Sequence, residues 1–373
     1  MVWPYLPAYR VPFCDAAVDR LAEEGIAFEL WTGSPSARQA LRGDEASARW
    51  HRVLPERRLP LRGKELLWRK LIPGTDLLIL EQAIKNLETY PALVGQHLRG
   101  PGVAVWGHGR SYSTPQGRVA SSFKQFVTRR AEWAFLYTPG GAKYVVDAGF
   151  PRTRVTVLMN TLATEELQAA LDAVSDAEVA AFHTRHRTLP DRTALFLGAV
   201  DPVKGTDMIV EAAFAASREL PGTVVAIAGD GPASARLAEE QSRGVPIRVL
   251  GRLDGPGKAV ALRACRVIAA PRSIGLVAVD ALASRTPVLT VDNAMHGPEA
   301  EYLVDMDNSI WLPAGVSASK YGQELAGILA APDRLAQLQE GCRESAERLS
   351  LSNMVQRFVD GVLDWREVRA AGL

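Results

Sequence analysis

The segment Arg266–Asn293, RVIAAPRSIGLVAVDALASRTPVLTVDN, constrains the fold of this chain more than any other part of the sequence. An apolar run that ends at Pro271 predicts a buried strand, and a glycine turn at Gly275 follows. A helical segment of small residues with one acid, Asp280, comes next, and the β-branched run Pro287–Val291 predicts a second strand. An open α/β sheet builds a ligand crevice at the carboxyl ends of its strands from such units. A carboxylate just inside the helix is well placed to accept hydrogen bonds from a ribose, so the segment predicts a nucleotide site, with a nucleotide-sugar as the expected ligand.

Short β-rich runs alternate with longer helical patterns along the whole chain, which is typical of parallel sheets with helices on both faces. The predicted strands of the first half are Ala27–Thr32, Asp76–Leu80, Val103–Trp106, Ala134–Tyr137 and Val155–Leu158. Those of the second half are Thr193–Leu197, Val224–Ala228, Ile247–Leu250, Val267–Ala270 and Val288–Val291. The Arg-rich stretch Ser34–Gly63 is predicted to be a loop with short helical pieces, and the polar helical stretch Ala163–Leu189 a linker.

At 373 residues the chain is long enough for two domains of ordinary size. We expect a Rossmann-like domain over residues 1–165 and a second one over residues 190–352. A carboxyl-terminal helix at about 353–373 is expected to pack back on the first domain.

The formal net charge of +1 makes no case for nucleic-acid binding. Residues 1–165 carry 22 Lys and Arg against 15 Asp and Glu, however, and the remainder carries 21 against 27. A basic first half favours an acidic acceptor or an anionic lipid surface as its partner. A chance uneven distribution of surface charge explains the difference between the halves equally well. Three widely spaced cysteines and no apolar run long enough to span a membrane favour the cytoplasm. Nothing in the sequence decides between a monomer and a homodimer.

Three further predicted strands end in glycine-marked turns at the same sheet edge. The motif LFLGAVDPVKGTDM places Gly198 at a strand exit and Lys204 just before a helix, where a diphosphate fits both the lysine and the free backbone N–H groups. The motif VAIAGDGP places Gly229 at a second exit, and LGRL makes Arg252 available to a base or a phosphate at a third. A solvated lysine and ordinary turns are the alternative for any one of these motifs, but the four exits together predict a nucleotide site.

Four motifs resemble, in their order along the chain, those of the retaining glycosyltransferases of the GT-B family 4, the glycosyl transferases group 1. These motifs are GAVDPVKG, AGDGP, LGRL and PRSIGLVAVDALASRTPV. Four further segments extend the resemblance over nearly the whole chain: WGHG, FLYTPGGAKYVVDAGFP, VLMNT and HGPEAEYL. It implies a GT-B fold, an α/β architecture of two Rossmann-like doubly wound domains that face each other across a cleft. It also implies that the first domain binds the acceptor and the second binds a nucleoside diphosphate sugar.

The resemblance also assigns roles to individual residues. Lys204 matches the family residue that contacts the donor diphosphate. Asp280 matches the second acid of the family's E-x7-E element, which is associated with the donor ribose. The backbone N–H groups of Ile274, Gly275, Leu276 and Val277 are expected to meet the phosphates. His108 matches the family histidine near the transferred sugar, so His108 and Lys204 are the catalytic candidates. Asn160 falls at the end of an interdomain strand, where a structural role is expected.

Three departures from the family pattern bear on this site. Ala199 stands where the family has an arginine on the diphosphate, so Arg252 or Arg272 must supply that charge. Arg272 stands where the first acid of E-x7-E would fall, in a loop that is shortened between Pro271 and Gly275. The amino-terminal loop PAYRVPF lacks the usual glycine pair, and Tyr9 and Arg10 are expected to take over acceptor contacts.

The basic segment RGKELLWRKL, Arg62–Leu71, allows a peripheral contact with a membrane through one side of a helix, or is an ordinary surface helix with a core stripe. Lys124–Arg130 has the same ambiguity. A peripheral location at the inner membrane surface is therefore one interpretation.

The predicted function is that of a retaining, metal-independent hexosyltransferase. It would move a hexose from a nucleoside diphosphate sugar, with UDP or GDP as the expected nucleotide, to a hydroxyl of a glycan, a lipid-linked intermediate or a small metabolite. The donor sugar is a co-substrate, and neither a cofactor nor a metal is expected. Two alternatives remain: a non-catalytic descendant that binds a nucleotide-sugar, and a nucleotide-sugar epimerase.

Overall fold

The computed structural model describes residues 1–40, 43–61, 64–71, 73–98, 100–112, 117–293 and 295–372. The chain divides into two compact units, one formed by Met1–Ala163 with Leu351–Leu373 and the other by Thr164–Ser350.

The first unit contains a parallel sheet of seven strands. Its strands and those of a separate hairpin are β1 (Val2–Trp3), β2 (Leu30–Thr32), β3 (His51–Val53), β4 (Glu56–Leu61), β5 (Lys64–Arg69), β6 (Leu77–Glu81), β7 (Gly102–Gly107), β8 (Trp133–Leu136) and β9 (Val155–Val157). The sheet order is β3-β2-β1-β6-β7-β8-β9, and β4 and β5 pair antiparallel on their own. The helices are α1 (Val11–Glu23), α2 (Ala37–Ala40), α3 (Thr89–Gly95), α4 (Arg118–Thr128) and α5 (Pro139–Asp147).

Strand β7 shows how this sheet buries both faces. Ala104 and Trp106 point into an aromatic core, whereas Val103 and Val105 point into an aliphatic core on the other side. Alternation of buried residues to both faces is what a central parallel strand with helices on either side requires.

The second unit contains a parallel sheet of six strands. Its strands are β10 (Thr193–Leu197), β11 (Val224–Ala228), β12 (Ile247–Gly251), β13 (Val267–Ala270), β14 (Val288–Val291) and β15 (Ser309–Leu312). Its helices are α6 (Thr164–Ala173), α7 (Asp176–His186), α8 (Thr206–Glu219), α9 (Ser234–Ser242), α10 (Gly255–Ala264), α11 (Val277–Ala283), α12 (Ala318–Leu329) and α13 (Pro332–Ala346). The strand order β12-β11-β10-β13-β14-β15 is that of a doubly wound sheet whose direction of winding reverses between β10 and β13.

The last helix, α14 (Leu351–Ala370), returns to the first unit. Phe358 is fully buried there, against the rings of Phe13, Trp106 and Phe135 at centroid distances of 5.2 to 5.7 Å. Gly361 permits this approach, because a Cβ at that position would lie 2.2 Å from the Thr156 hydroxyl.

Three expectations from the sequence differ from the structure. The stretch Ser34–Gly63 contains β3 and β4 besides the short helix α2. The basic segment at 62–71 does not form a helix: Lys64–Arg69 is strand β5, and Arg62 and Gly63 lie outside the described residues. The expected linker forms the helices α6 and α7, whose polar pattern reflects one exposed side; both pack on α10 within the second unit.

Candidate functional site

In the second unit the candidate residues gather where the winding reverses. Lys204 follows β10 and ends a short 3-10 turn, while Ser273 follows β13. The Lys204 Nζ donates to the Ser273 carbonyl oxygen at 2.8 Å and to its hydroxyl at 3.3 Å. Ligands of open α/β sheets bind in the crevice at this reversal, outside the carboxyl ends of the strands. The structure therefore places the lysine and the shortened loop together at the expected ligand position.

Two glycine turns form the next part of this edge. Gly198 and Gly229 have φ angles of +136° and +150°, which favour glycine. A Cβ on Gly229 would lie 1.8 Å from the Gly198 carbonyl oxygen, so the two strand exits touch through their backbones. Asp230 follows directly, and the charge of Arg252 contributes to lowering its pKa, after the hydrogen bonds from Ser234 and from the Gly231 N–H. The exits of β10, β11 and β12 thus lie side by side.

Arg272 lies against the loop that precedes α8. Its guanidinium donates to the Pro202 carbonyl oxygen at 3.1 Å and pairs with Asp207 at 3.3 Å. It is exposed at the rim of the site. In this arrangement Arg272 fastens the shortened loop to the lysine turn, and whether it also contacts a donor stays a prediction.

His296 holds the other side of the shortened loop. Its Nδ1 accepts from the Ile274 N–H at 3.1 Å, so its Nε2 carries the proton that is donated to the Val291 carbonyl oxygen at 2.8 Å. Burial lowers the pKa of His296, in keeping with a neutral ring. The Ile274 carbonyl oxygen accepts from the Gly297 N–H at 2.6 Å. Both backbone groups of Ile274 are therefore engaged.

The three residues after Ile274 differ in this respect. Within the described part of the chain, no hydrogen bond is made by the backbone N–H groups of Gly275, Leu276 and Val277. They lie at the amino-terminal end of α11, beside the Lys204 contact with Ser273. Of the four backbone groups predicted to meet phosphates, these three are available.

Asp280 lies on α11 and is buried. Its Oδ1 accepts from the Lys258 Nζ of α10 at 2.6 Å, and the side chains are 10% and 23% exposed. Burial raises the pKa of Asp280, and the ammonium group of Lys258 opposes that shift. The predicted ribose ligand is thus one half of an ion pair.

The acceptor-side residues meet around one tyrosine in the first unit. The His108 ring lies 4.7 Å from the Tyr137 ring, and the Arg10 guanidinium lies 5.5 Å above the same ring and 5.0 Å above Tyr9. Arg10 is buried and donates to the Asn160 side-chain oxygen, which accounts for the position of Asn160 at the end of its strand. The structure brings Tyr9, Arg10 and His108 into one cluster.

The charge around His108 is positive. Desolvation by the surrounding protein lowers the pKa of His108 to about 4, and the nearby Lys124 and Arg10 lower it in the same direction. Its backbone packs closely on helix α5: a Cβ on Gly109 would lie 2.3 Å from the Gly141 carbonyl oxygen. The imidazole is therefore neutral at pH 7, and the backbone that carries it is fixed against α5.

The sequence gave no site role to Lys258, His296, Tyr137 or Lys124, although Lys124 begins the basic segment Lys124–Arg130 and Tyr137 ends a predicted strand. HGPEAEYL pointed at the segment of His296 without giving the residue a role. Lys258 and Lys124 are helix lysines whose oppositely charged neighbours, Asp280 and Glu81, lie on other elements, so the sequence could not assign them to a site.

Among the described residues, no three His, Cys, Asp or Glu side chains are grouped so that they could hold a metal ion. No helix in the same ranges is both long and apolar enough to cross a bilayer.

Comparisons with known proteins match this chain to glycosyltransferases in sequence and in fold. Residues 191–330 match the family model of the glycosyl transferases group 1. The chain is 30% identical over 148 residues to a phosphatidyl-myo-inositol mannosyltransferase of Mycobacterium tuberculosis, over 37% of this chain and 38% of that protein. It is 33% identical over 180 residues to D-inositol 3-phosphate glycosyltransferase 2 of Catenulispora acidiphila, over 44% of this chain and 41% of that protein. The chain thus spans about 40% of the length of the curated relatives it matches.

Solved structures match over nearly the whole chain at low identity. A glycosyltransferase of Rickettsia africae ESF-5 superposes with a TM-score of 0.67 at 11% identity, over 98% of this chain and 97% of that one. Anabaena HepE in complex with UDP gives 0.65 at 12% identity, over 97% and 98%. The fold of the chain is therefore GT-B, as the sequence resemblance predicted, and residues 191–330 match the model of the glycosyl transferases group 1.

Proposed function

We propose that this protein is a retaining glycosyltransferase that moves a hexose from a nucleoside diphosphate sugar to a hydroxyl group. The observation that carries the proposal is the contact of Lys204 with Ser273 at the reversal of the second sheet, beside the glycine exits at Gly198 and Gly229. A group 1 family match covers the same residues. Two solved neighbours add support, since HepE of Anabaena was crystallised with UDP and with UDP-glucose.

In this proposal the donor diphosphate lies between Lys204 and the free N–H groups at Gly275, Leu276 and Val277. A lysine ammonium and backbone N–H groups that are fixed before the reaction stabilise the charge that develops on a departing phosphate. Arg252 lies near the exit of β12 and is assigned to the base or the diphosphate. Asp280, held by Lys258, is assigned to the ribose.

Transfer breaks the bond between the sugar C1 and the diphosphate oxygen and forms a bond from C1 to the acceptor oxygen on the same face. The hydroxyl proton passes to the departing diphosphate, so no separate protein base is required. His108, neutral at pH 7, is assigned to hold the transferred sugar or the acceptor hydroxyl. Lys204 supplies positive charge to the diphosphate without a metal ion.

An acceptor with a negative charge fits the first unit. Arg10 and Lys124 both lie near His108, and both carry positive charge. The relatives named above act, by their names, on phosphatidyl-myo-inositol and on D-inositol 3-phosphate. We therefore assign the Arg10 cluster to an acceptor that bears a phosphate or a carboxylate.

The test is donor turnover with a panel of UDP- and GDP-hexoses and phosphorylated or lipid-linked acceptors. Lys204→Met should lower kcat by about 10²–10³, the effect of removing one preorganised donor. Lys143→Met is the matched control, since Lys143 is an exposed lysine of α5 that pairs with Asp147. Addition of EDTA should leave the rate unchanged. Activity of Lys204→Met within about threefold of wild type would refute the role of the lysine.

The alternatives give different results in the same assay. Nucleotide binding without turnover for any acceptor would identify a non-catalytic binding protein. Interconversion of the sugar in the absence of an acceptor would identify an epimerase.

A further inference from the structure

A pocket lies at the outer edge of the second sheet, between the end of α7 and the edge strand β12. The residues that line this α7–β12 pocket are 185–187, 241, 244–246, 248 and 249. Its volume of about 590 Å³ is in the range of sites that hold small metabolites. The pocket begins at the amino end of β12, whereas the predicted donor site follows the carboxyl ends of the strands. The two sites are therefore separate.

The side chains around the α7–β12 pocket are basic or neutral. Three arginines line it: Arg185 and Arg187 at the end of α7, and Arg248 on β12. His186 lines it as well, and no Asp or Glu is among the described residues that do so. Burial lowers the pKa of His186, and the charges of Arg185 and Arg248 lower it further. The pocket therefore has a positive potential, which favours an anion.

Arg248 is held in place by the backbone. Its Nε donates to the His186 carbonyl oxygen at 2.8 Å, and its Nη1 donates to the Ile247 carbonyl oxygen at 2.6 Å. In the described part of the chain its Nη2 makes no hydrogen bond and no carboxylate pairs with it. A guanidinium fixed in this way keeps its full charge and an available donor, which suits a phosphate oxygen.

Gln241 of α9 supplies a neutral donor. Its Oε1 accepts from the Val249 N–H at 2.7 Å, so the edge of β12 sets the orientation of the amide. The Nε2 group makes no hydrogen bond within the described ranges. Because an amide nitrogen can only donate, it too fits an oxygen of an anion.

Arg187 ends α7 in a conformation that glycine usually takes. Its φ of +51° and ψ of +53° are left-handed, and its N–H donates to the carbonyl oxygens of His183 and Thr184. Glycine is favoured at this position after a helix, because a Cβ is strained in the left-handed region. An arginine where glycine would be more stable indicates a role for its guanidinium.

We propose that the α7–β12 pocket binds a small metabolite that carries two phosphate groups. A phosphate ester carries a charge of about −1.5 to −2 at pH 7, so two of them match the three arginines. Arg248 and Gln241 donate to phosphate oxygens, while Arg185 and Arg187 add charge from the end of α7. The volume is larger than a phosphate ion needs, so it also accepts the organic part that joins the two groups. The binding stands independently of the proposed transfer reaction.

The experiment is isothermal titration calorimetry of the full chain with fructose 1,6-bisphosphate, inorganic phosphate and fructose. We expect saturable binding of the bisphosphate, binding of inorganic phosphate that is at least about tenfold weaker, and none of fructose. Arg185→Gln should raise the Kd of the bisphosphate at least about tenfold, since a charge-assisted hydrogen bond is lost. Arg187→Gly should raise it by a similar factor without lowering Tm, because glycine suits the left-handed position.

The matched control is Arg218→Gln, because Arg218 is also an exposed arginine in the last turn of a helix, α8, but lies outside the pocket. This variant should bind the bisphosphate like the wild type. If Arg187→Gly lowers Tm, the result for Arg185→Gln decides, since that side chain is exposed.

Three results would overturn the proposal. The first is no saturable binding of the bisphosphate by the wild type, or binding that Arg185→Gln and Arg187→Gly leave unchanged. The second is equal affinity for inorganic phosphate and the bisphosphate, which would contradict the assigned class of ligand. The third is loss of binding in Lys204→Met alone, which would place the bisphosphate at the predicted donor site. Retention of binding in Lys204→Met, with loss in the two pocket variants, is the result that supports the α7–β12 pocket.

Discussion

Replacement of Lys258 by Met tests the buried ion pair at the predicted ribose position. The Nζ to Oδ1 distance of 2.6 Å corresponds to a gross attraction of about 6 kcal/mol at an effective dielectric constant of about 20. Much of this attraction is offset by desolvation, and the loss of one partner of a buried pair costs about 3–5 kcal/mol. Since Lys258 keeps 23% exposure, water lowers the penalty, and we expect about 3 kcal/mol. For a domain of this size that is a drop in Tm of about 6–12 °C.

The pH dependence of the Lys258→Met variant identifies the cause. Burial already raises the pKa of Asp280 above its unfolded value, and removal of the ammonium group raises it further. An acid whose pKa is raised in the folded state destabilises the fold as the pH rises through that pKa, because it must then ionise without a partner. The variant should therefore lose most stability at pH 8 and recover part of it toward pH 5.

Urea unfolding of a double-mutant cycle measures the effect. Asp280→Asn in the Lys258→Met background should restore stability, since no buried carboxylate remains. Lys320→Met is the matched control: Lys320 pairs with Glu324 at 2.7 Å on the exposed face of α12, and its loss should cost under about 1 kcal/mol. Equal, pH-independent losses for Lys258→Met and Lys320→Met would refute the reasoning.

Three further predictions concern single residues. Gly229→Ala should cost more than about 2 kcal/mol of unfolding free energy, because its Cβ would lie 1.8 Å from the Gly198 carbonyl oxygen. The control Gly327→Ala in α12, which has open space around it, should be neutral or stabilising in the same thermal melts. His108 should titrate near its pKa of about 4 when the imidazole is followed by NMR. Acceptor or sugar binding that depends on the neutral imidazole should therefore stay constant from pH 8 to about 5.5. An NMR titration midpoint above about 6 would contradict the desolvation of His108. His296→Phe should cost about 1–3 kcal/mol, because it leaves the buried Ile274 N–H without its partner and the Val291 carbonyl oxygen with only the Asn293 side-chain amide. A loss below about 0.5 kcal/mol in urea unfolding would show that the contacts of His296 are dispensable.

The sheet of the second unit was predictable because its strands are short apolar runs bounded by turn residues. Four of these strands have the predicted bounds: Thr193–Leu197, Val224–Ala228, Val267–Ala270 and Val288–Val291. Parallel strands buried on both faces give such runs. Strand β15, Ser309–Leu312, was missed because it begins with a serine and its apolar run, Ile310–Leu312, is only three residues long.

The first unit was less predictable because its edge elements are polar. Strand β4 carries two arginines and a proline, so its residues do not show the apolar pattern of a strand. Its antiparallel pairing with β5 depends on contacts between the two strands, which the pattern of either strand does not predict. Strand β1 has two residues, too few for any periodicity to appear.

The candidate site was predictable as a set of residue positions, but its contacts were not. The sequence placed Lys204 and the loop at Ile274 at the same sheet edge. The bonds of Lys204 to Ser273 and of Ile274 to His296 join residues 69 and 22 positions apart. The predicted ribose ligand Asp280 is held by a lysine that the family pattern does not mark. Local patterns specify which residues reach an edge, whereas the packing of loops decides which groups remain available to a ligand.

The central claim is that a nucleoside diphosphate binds at the carboxyl edge of the second sheet, against Lys204. The most direct measurement is thermal unfolding of the wild type, Lys204→Met and Lys143→Met with UDP, GDP, ADP, CMP and dTDP and their sugar conjugates. One nucleotide family should stabilise the wild type and Lys143→Met by about 2.7 kcal/mol at about 100 times its Kd, and Lys204→Met much less at the same concentration. No stabilisation by any of these ligands, or equal stabilisation of all three proteins, would contradict the claim.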